Sequence, residues 1–177
     1  MPGPRNAMAP VWNPLRKPRE AAVEAIFRAP SAGAPMEPCV RAEAVPGGLA
    51  GDRYASGRGH WRATDACEVT LIRAEDLDRI RRRTELALEG GEHRRNLVVR
   101  GLRSRDLTAG RLRIGAALFA IRGPRPPCGY LERLTEPGMV RALRGCGGVC
   151  LEVLESGEVA VGDPVVGVGS RPGSDEG

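Results

Sequence analysis

Cys128 is the side chain in this sequence best placed for covalent chemistry. It lies in Arg-Pro-Pro-Cys-Gly, residues 125–129. The two prolines remove two backbone donors and stiffen the approach to the thiol. Gly129 lets the backbone turn sharply behind it. Arg122, Arg125 and Arg133 are near in sequence, and guanidinium groups around a thiol favour the thiolate. A thiolate can attack sulfur or carbon, carry a persulfide, or ligate a soft metal. The plainer alternative is a buried cysteine acting as a small hydrophobe. The local sequence leaves both open.

Two further segments have the composition of a binding site. Gly-Gly-Leu-Ala-Gly-Asp-Arg-Tyr, residues 47–54, permits close backbone approach to a ligand and places the charges of Asp52 and Arg53 there. It is neither a Walker loop nor a dinucleotide fingerprint, and a tight turn with a surface ion pair is the alternative. His-Arg-Arg-Asn, residues 93–96, enters a strand pattern. Arg94, Arg95 and Asn96 together can clamp a phosphate or stack on a planar heterocycle; the alternative is a solvated loop. No Ser-His-Asp order, H-E-x-x-H or paired-carboxylate pattern stands out.

The remaining cysteines are Cys39, Cys67, Cys146 and Cys150, five in all with Cys128. An odd number cannot pair completely within one chain. The first twenty residues have no apolar signal-peptide core, so a disulfide scaffold is disfavoured and a reducing cytoplasm is expected. Cys39 and Cys67 each open a strand pattern and read as packing residues. Cys146 and Cys150 can pair with each other, or resolve an oxidised Cys128, if the fold brings them close. There is no C-x-x-C pair to suggest a zinc ribbon or thioredoxin-type site.

The elements that position these residues are mostly short strands. Alternation or apolar runs predict strands over 21–29, 39–45, 67–72, 95–101, 111–123, 148–157, 158–163 and 164–169. Residues 74–88 carry Leu77, Ile80, Thr84 and Leu88 at helical spacing, with acids in the first turn, and predict the clearest helix. Residues 136–145 predict a short second helix, and 124–134 a Pro-rich corner. With 24 Gly and 15 Pro in 177 residues, a long-helix bundle is disfavoured. The expected fold is mainly β with few short helices, barrel-like or folded over. Residues 1–18 hold five prolines and read as a flexible arm, 19–169 as one domain, and 170–177 as a disordered tail.

Charge and hydropathy exclude other classes. No apolar run approaches the roughly 20 residues of a membrane span. The net charge of +5 comes from 27 basic and 22 acidic residues, and all the basic residues but Lys17 are arginines. Six scattered aromatic rings make a poor stacking platform, so nucleic-acid binding is disfavoured.

Taken in order, the segments resemble a known family. GGLAGDRY is followed by EVTLI and a helix, then RRNLVVRG, LTAGRLRIG over 107–115, RPPCGYLERL, and Gly-Gly, VLESG and Val-Gly-Asp. This series closely resembles the MOSC domain, found at the C-terminus of molybdenum-cofactor sulfurases and as stand-alone bacterial proteins. The resemblance covers about residues 20–168. It implies a barrel-like β fold and a functional cysteine, matched here by Cys128. It also implies a pterin-binding role for the segment matched by Arg94, Arg95 and Asn96, and it matches Asp52 and Arg53 to the family's Gly-Asp-Arg segment. The sequence carries neither the pyridoxal-phosphate desulfurase domain of full sulfurases nor a ferredoxin domain. The implied sulfur or electron donor is therefore another protein. Cys146 in Arg-Gly-Cys-Gly-Gly is an addition to the pattern.

Three functions are consistent with this reading. In the first, Cys128 accepts sulfane sulfur as a persulfide from a partner cysteine desulfurase and delivers it to a metal centre or metabolite, with the arginines orienting an anionic acceptor. In the second, Cys128 ligates molybdenum in a molybdopterin-bound oxidoreductase that reduces N-hydroxylated substrates and takes electrons from a partner protein. In the third, the domain is a non-catalytic arginine-rich binding module.

Overall fold

Among the described residues, glycine and proline punctuation cuts the chain into eleven short strands, three short α-helices and one 3-10 turn, so mainly β architecture holds. The computed structural model describes residues 20–60 and 67–169. The arm expected over 1–18 and the tail expected over 170–177 lie outside the described residues. In chain order the strands are β1 (Ala22–Arg28), β2 (Glu37–Cys39), β3 (Arg41–Val45), β4 (Gly48–Leu49) and β5 (Val69–Arg73). Helix α1 (Ala74–Arg81) leads to β6 (Leu97–Arg100), β7 (Arg111–Ile114) and β8 (Ala117–Pro124). Helices α2 (Gly129–Leu134) and α3 (Met139–Leu143) precede β9 (Val149–Glu155), β10 (Gly157–Ala160) and β11 (Val165–Val168).

Eight strands form one sheet in the order β11-β7-β8-β9-β5-β6-β1-β2, and β10-β3-β4 form a second. The β5–β6 pair is parallel, with Leu71 beside Leu97; α1 lies in that crossover, as parallel pairing requires a long connection. The other ladders are antiparallel. A bridge between Ala22 and Pro164 brings the start of β1 to the start of β11. The sheets curl over in this way without closing into a barrel, so the mainly β expectation holds in its folded-over form. Backbone hydrogen bonds from Val23 to Asp163, Gly162 to Val23 and Val165 to Ala21 also cross this seam, without extending into a ladder.

Two apolar clusters hold the layers. The first lies between the sheets and includes Leu49, Val69, Leu71, Leu97, Phe119 and Leu151. The second covers the other face of the large sheet, where Ile72 and Val98 meet Leu77, Ile80, Leu131, Met139 and Leu143 of the three helices. Strand β5 therefore buries both faces, as its unbroken apolar pattern requires. Full burial of each such side chain contributes about 1.5–3 kcal/mol.

Several boundaries differ from expectation for local reasons. The helix expected over 74–88 stops at Arg81. The Thr84 hydroxyl donates back to the Ile80 carbonyl at 3.0 Å, and the chain continues extended, with Leu86 half-buried and Leu88 buried between exposed neighbours. Leu88 thus enters the core with period two instead of helical spacing. The strand expected over 111–123 is a hairpin, with Ile114 opposite Ala117 across the two-residue Gly115-Ala116 loop. Gly115 supplies the positive φ that loop needs, at 56°. The strand expected over 39–45 breaks at exposed Val40, where the chain passes from the large sheet to the small one.

Candidate functional site

The Pro-rich corner leads from the end of β8 along one wall of a cavity of about 510 Å³. Cys128 sits on that wall, half-buried, immediately before α2. Its carbonyl accepts the Leu131 amide at 3.0 Å, which starts the helix. The local sequence gives 129–134 no helical signal to set it apart from the Pro-rich corner, because a six-residue helix with Leu131 as its buried residue has no visible period. Prolines 124, 126 and 127 line the cavity beside the cysteine.

Among the described residues five arginines line the same cavity, Arg53, Arg94, Arg95, Arg122 and Arg125, and no carboxylate residue does. Arg53 is paired with Asp52 at 3.1 Å and lies over the Tyr54 ring at 4.7 Å. Arg122 pairs with Glu152. Arg125 donates to the Tyr54 hydroxyl at 3.1 Å. Tyr130, stacked on His60 with ring centroids 3.7 Å apart, forms another part of the wall. Tyr54 and Tyr130 lie in the segments GGLAGDRY and RPPCGYLERL but have no role assigned from sequence, and His60 lies in neither; their place in the fold puts all three on the cavity.

Arg95 is the most constrained of the five. It is buried, and its guanidinium donates to three carbonyls: Gly147 at 2.6 Å, His93 at 3.2 Å and Arg125 at 3.2 Å. It thereby ties the loop before β6 to the corner before Cys128 and to the loop before β9. Glycine is needed where these loops meet. A Cβ on Gly147 would come within 2.5 Å of the Arg125 carbonyl, and one on Gly148 would overlap the Leu71 carbonyl. Burial first, and then the neighbouring charge of Arg125, lower the Arg95 pKa to about 10. The group still carries its charge at neutral pH.

Arg94 occupies the left-handed region at φ 58°, which costs a residue with a Cβ about 1 kcal/mol. Its amide donates to the Gly91 carbonyl at 2.7 Å and its guanidinium to the Ala34 carbonyl at 2.8 Å. Burial, and then the charge of Arg53, lower its pKa. Among the described residues neither Arg94 nor Arg95 has a carboxylate in ion-pair range. Arg94→Gly relieves the backbone and removes a cavity charge. Its expected result is a midpoint of denaturant unfolding equivalent to within about 1 kcal/mol of the parent, with weaker binding of phosphate measured by calorimetry. A strongly destabilised variant would contradict this account of Arg94.

The other two residues singled out in the sequence lie behind the wall. Asp52 is fully buried; its carboxylate accepts the Ala29 amide at 3.0 Å, the Tyr54 amide at 3.2 Å and the Arg53 guanidinium. The surface ion pair considered for this turn is therefore a buried one. Asn96 is also fully buried. Its carbonyl oxygen accepts the Thr70 amide and hydroxyl at 3.1 and 2.9 Å, and its amide donates to the Phe27 carbonyl at 3.1 Å. Both side chains spend their polar atoms within the chain, and a satisfied buried network of this kind fixes loop positions. Asp52 sets Arg53, and Asn96 sets the strand start that carries Arg94 and Arg95.

His93 completes this loop. It packs edge-on against Phe27 at 5.5 Å, and its Nδ1 accepts the Arg95 amide at 3.0 Å. Burial, and then the charge of Arg95, push its pKa down from 6.5 to about 3. Between those values the unfolded chain binds a proton that the folded chain refuses. Stability is therefore full above about pH 6.5 and falls toward pH 3, by about 3 kcal/mol at pH 4 for this group alone. His93→Asn keeps an acceptor for the same amide and is expected to flatten this part of the pH profile in urea titrations. Equal acid slopes for parent and variant would refute the assignment.

The cysteine expectations change. Cys67 is not a lone packing residue: it is bonded to Cys150, with a Cα–Cα distance of 4.8 Å. Cys150 therefore does not pair with Cys146. Strands β5 and β9 bring the two together across 83 residues of sequence, a pairing that spacing alone cannot reveal. Both members line the same cavity as Cys128. Cys146 opens onto a separate groove beside Arg79, Arg141 and Arg144, and burial pushes its thiol pKa up. Cys39 remains a free, half-buried thiol packed against the inter-sheet cluster.

Fold and site together define a mainly β domain that holds a cysteine in a cationic cavity. The family model for the MOSC domain matches residues 58–166, and the chain belongs to that family. Solved structures share the fold. The YuaD protein from Bacillus subtilis aligns with a TM-score of 0.67 at 18% identity, covering 82% of this chain and 93% of that one. YiiM from Geobacillus stearothermophilus aligns at 0.65 and 19%, covering 84% and 75%. YiiM from Escherichia coli aligns at 0.59 and 20%, covering 84% and 70%. No curated protein matches the sequence. Among the described residues no helix is long and apolar enough to cross a membrane.

Proposed function

We propose that Cys128 carries sulfane sulfur as a persulfide, which makes this MOSC protein a sulfur carrier of the sulfurtransferase type. The observation that carries the reading is a half-buried thiol on the wall of a cavity that, among the described residues, is lined by five arginines and no carboxylate. A persulfide and its acceptor are both anionic near neutral pH, and fixed guanidinium charges in a partly desolvated cavity stabilise such species. The Cys128 thiolate attacks the terminal sulfur of a donor persulfide. The S–S bond of the donor breaks, the donor leaves as thiolate, and Cys128 holds the sulfur until an acceptor nucleophile takes it. The donor class is a partner cysteine desulfurase. Arg94 and Arg95 orient the acceptor, either a metal centre carried by an anionic ligand or an anionic metabolite.

The test is sulfur transfer from a desulfurase acting on isotopically labelled cysteine. Label is expected in the peptide containing Cys128, and dithiothreitol is expected to clear it. Label confined to the other cysteines would contradict the carrier reading.

MOSC domains are associated with molybdenum-cofactor proteins, and one observation supports a second reading. Arg94 and Arg95, which among the described residues have no carboxylate in ion-pair range, carry more positive charge than a bound sulfur atom alone requires. Among the described residues no group of three or more His, Cys, Asp or Glu could hold a bare metal ion. A molybdopterin brings its own metal ligands, and this residue set fits it: Cys128 as one soft ligand, Arg53, Arg94 and Arg95 toward its phosphate. Bound there, it would supply two-electron reduction of N-hydroxylated substrates, with electrons from a partner protein. Asp52 and Asn96 would act by holding the arginines in place.

A further inference from the structure

The carrier reading uses one of the three cysteines that share the cavity. Cys67 and Cys150, each about nine-tenths buried, line the same cavity as Cys128. A disulfide whose role ended in packing would have its sulfurs enclosed by apolar side chains. This one borders a cationic cavity beside a third, free thiol. The remaining free cysteines are elsewhere: Cys146 opens on another groove, and Cys39 is not among the residues lining the cavity. Neighbouring strands lead to two of the three. Cys150 is paired with Gly123 of β8, and the chain reaches Cys128 five residues after that glycine through the rigid corner. Arg95 holds the corner to the loop leading into β9 from both sides, through the Arg125 and Gly147 carbonyls.

We infer that Cys67 and Cys150 are a redox pair that reduces the sulfur carried by Cys128 and releases it as hydrosulfide. The inference rests on the carrier reading of Cys128. One thiolate of the reduced pair attacks the terminal sulfur of the Cys128 persulfide. That S–S bond breaks, Cys128 leaves as thiolate, and the attacking cysteine now holds the persulfide. The second thiolate attacks the inner sulfur of that persulfide. The Cys67–Cys150 bond forms and hydrosulfide leaves. Two thiols are oxidised to one disulfide, and one sulfane sulfur is reduced by the same two electrons to sulfide. The two thiol protons end on the hydrosulfide and the Cys128 thiolate, or on solvent. The guanidinium groups favour each anion formed. The structure shows the oxidised end of this cycle. A dithiol reductant, small or protein-borne, returns the pair to its thiol form.

The experiment uses the full chain, reduced with a phosphine, freed of reductant, and given one equivalent of inorganic polysulfide under argon. Released sulfide and intact protein mass are read together. The parent is expected to release sulfide and to lose the mass of two hydrogens, with the new disulfide mapped to Cys67–Cys150. Cys67→Ser and Cys150→Ser are each expected to retain one added sulfur atom and to release no sulfide beyond the shortened polysulfide that transfer to Cys128 leaves behind. Cys128→Ser leaves the pair in place and is expected to form the disulfide at least about tenfold more slowly. Circular dichroism checks that each variant is folded; if both serine variants of the pair unfold, the parent against Cys128→Ser decides the matter. A stable persulfide on the reduced parent would overturn the redox pair and leave the carrier reading standing. Disulfide formation equally fast in Cys128→Ser would also overturn it, because polysulfide would be oxidising the pair directly. Absence of added sulfur from Cys128 in every variant would overturn the carrier reading, and the redox pair with it.

Discussion

Cys128→Ser is expected to reduce labelled-sulfur transfer from a cysteine desulfurase to background while leaving the fold intact. Serine is nearly isosteric, and the position is half-buried on a cavity wall, so its cost to stability should stay within about 1 kcal/mol. The hydroxyl cannot hold sulfur in an exchangeable S–S bond, so the loss is one of kind and not of degree. Cys39→Ser and Cys146→Ser are expected to keep parental labelling, because neither residue lines this cavity. Labelling that survived in Cys128→Ser would remove Cys128 from the transfer step.

Arg95→Met is expected to have the largest effect on stability. The guanidinium bonds three carbonyls, those of Gly147, His93 and Arg125. Methionine approximates its length and donates nothing. Each carbonyl left buried without a partner costs about 1–3 kcal/mol. The relief of desolvating a charge offsets part of that sum, leaving a net loss of about 3 kcal/mol. The same substitution unties the corner that carries Cys128, so persulfide formation should fall as well. Arg95→Lys can reach at most part of the three-carbonyl set, because an ammonium lacks the planar fork, and should fall between parent and Arg95→Met. Chemical denaturation of the three proteins checks the order. Parental stability in Arg95→Met would show that the carbonyls find other partners.

Most of the strand pattern was legible because β5 and β6 are buried on both faces and β3 alternates cleanly. The exits from those elements were less so. Leu88 fits the helical stripe of Leu77, Ile80 and Thr84, yet the helix ends at Arg81 and residues 84–88 form neither helix nor strand. The hairpin at Gly115-Ala116 was hidden because strand, turn and strand are all apolar enough to read as one run. The open seam between β1 and β11 depends on how far the sheets twist, which no local pattern encodes.

At the site, the motif residues were found but not their division of labour. Asp52, Arg53, Arg94, Arg95 and Asn96 all stood out as polar groups near glycine or at a strand start. Side-chain type does not say which face the wall and which stand behind it. Arg53, Arg94 and Arg95 line the cavity, whereas Asp52 and Asn96 are buried among backbone partners. The disulfide depends on the β5–β9 pairing, and it gives Cys67 and Cys150 a place beside Cys128 that their spacing did not disclose.

The most direct test of the central claim is native mass spectrometry of protein freshly purified from its own or a closely related host, with Cys128→Ser alongside. The account predicts one extra sulfur atom on the parent, removed by reductant and missing from the variant. A mass matching a molybdopterin on the parent, lost in the variant, would contradict the carrier assignment and make Cys128 a metal ligand instead.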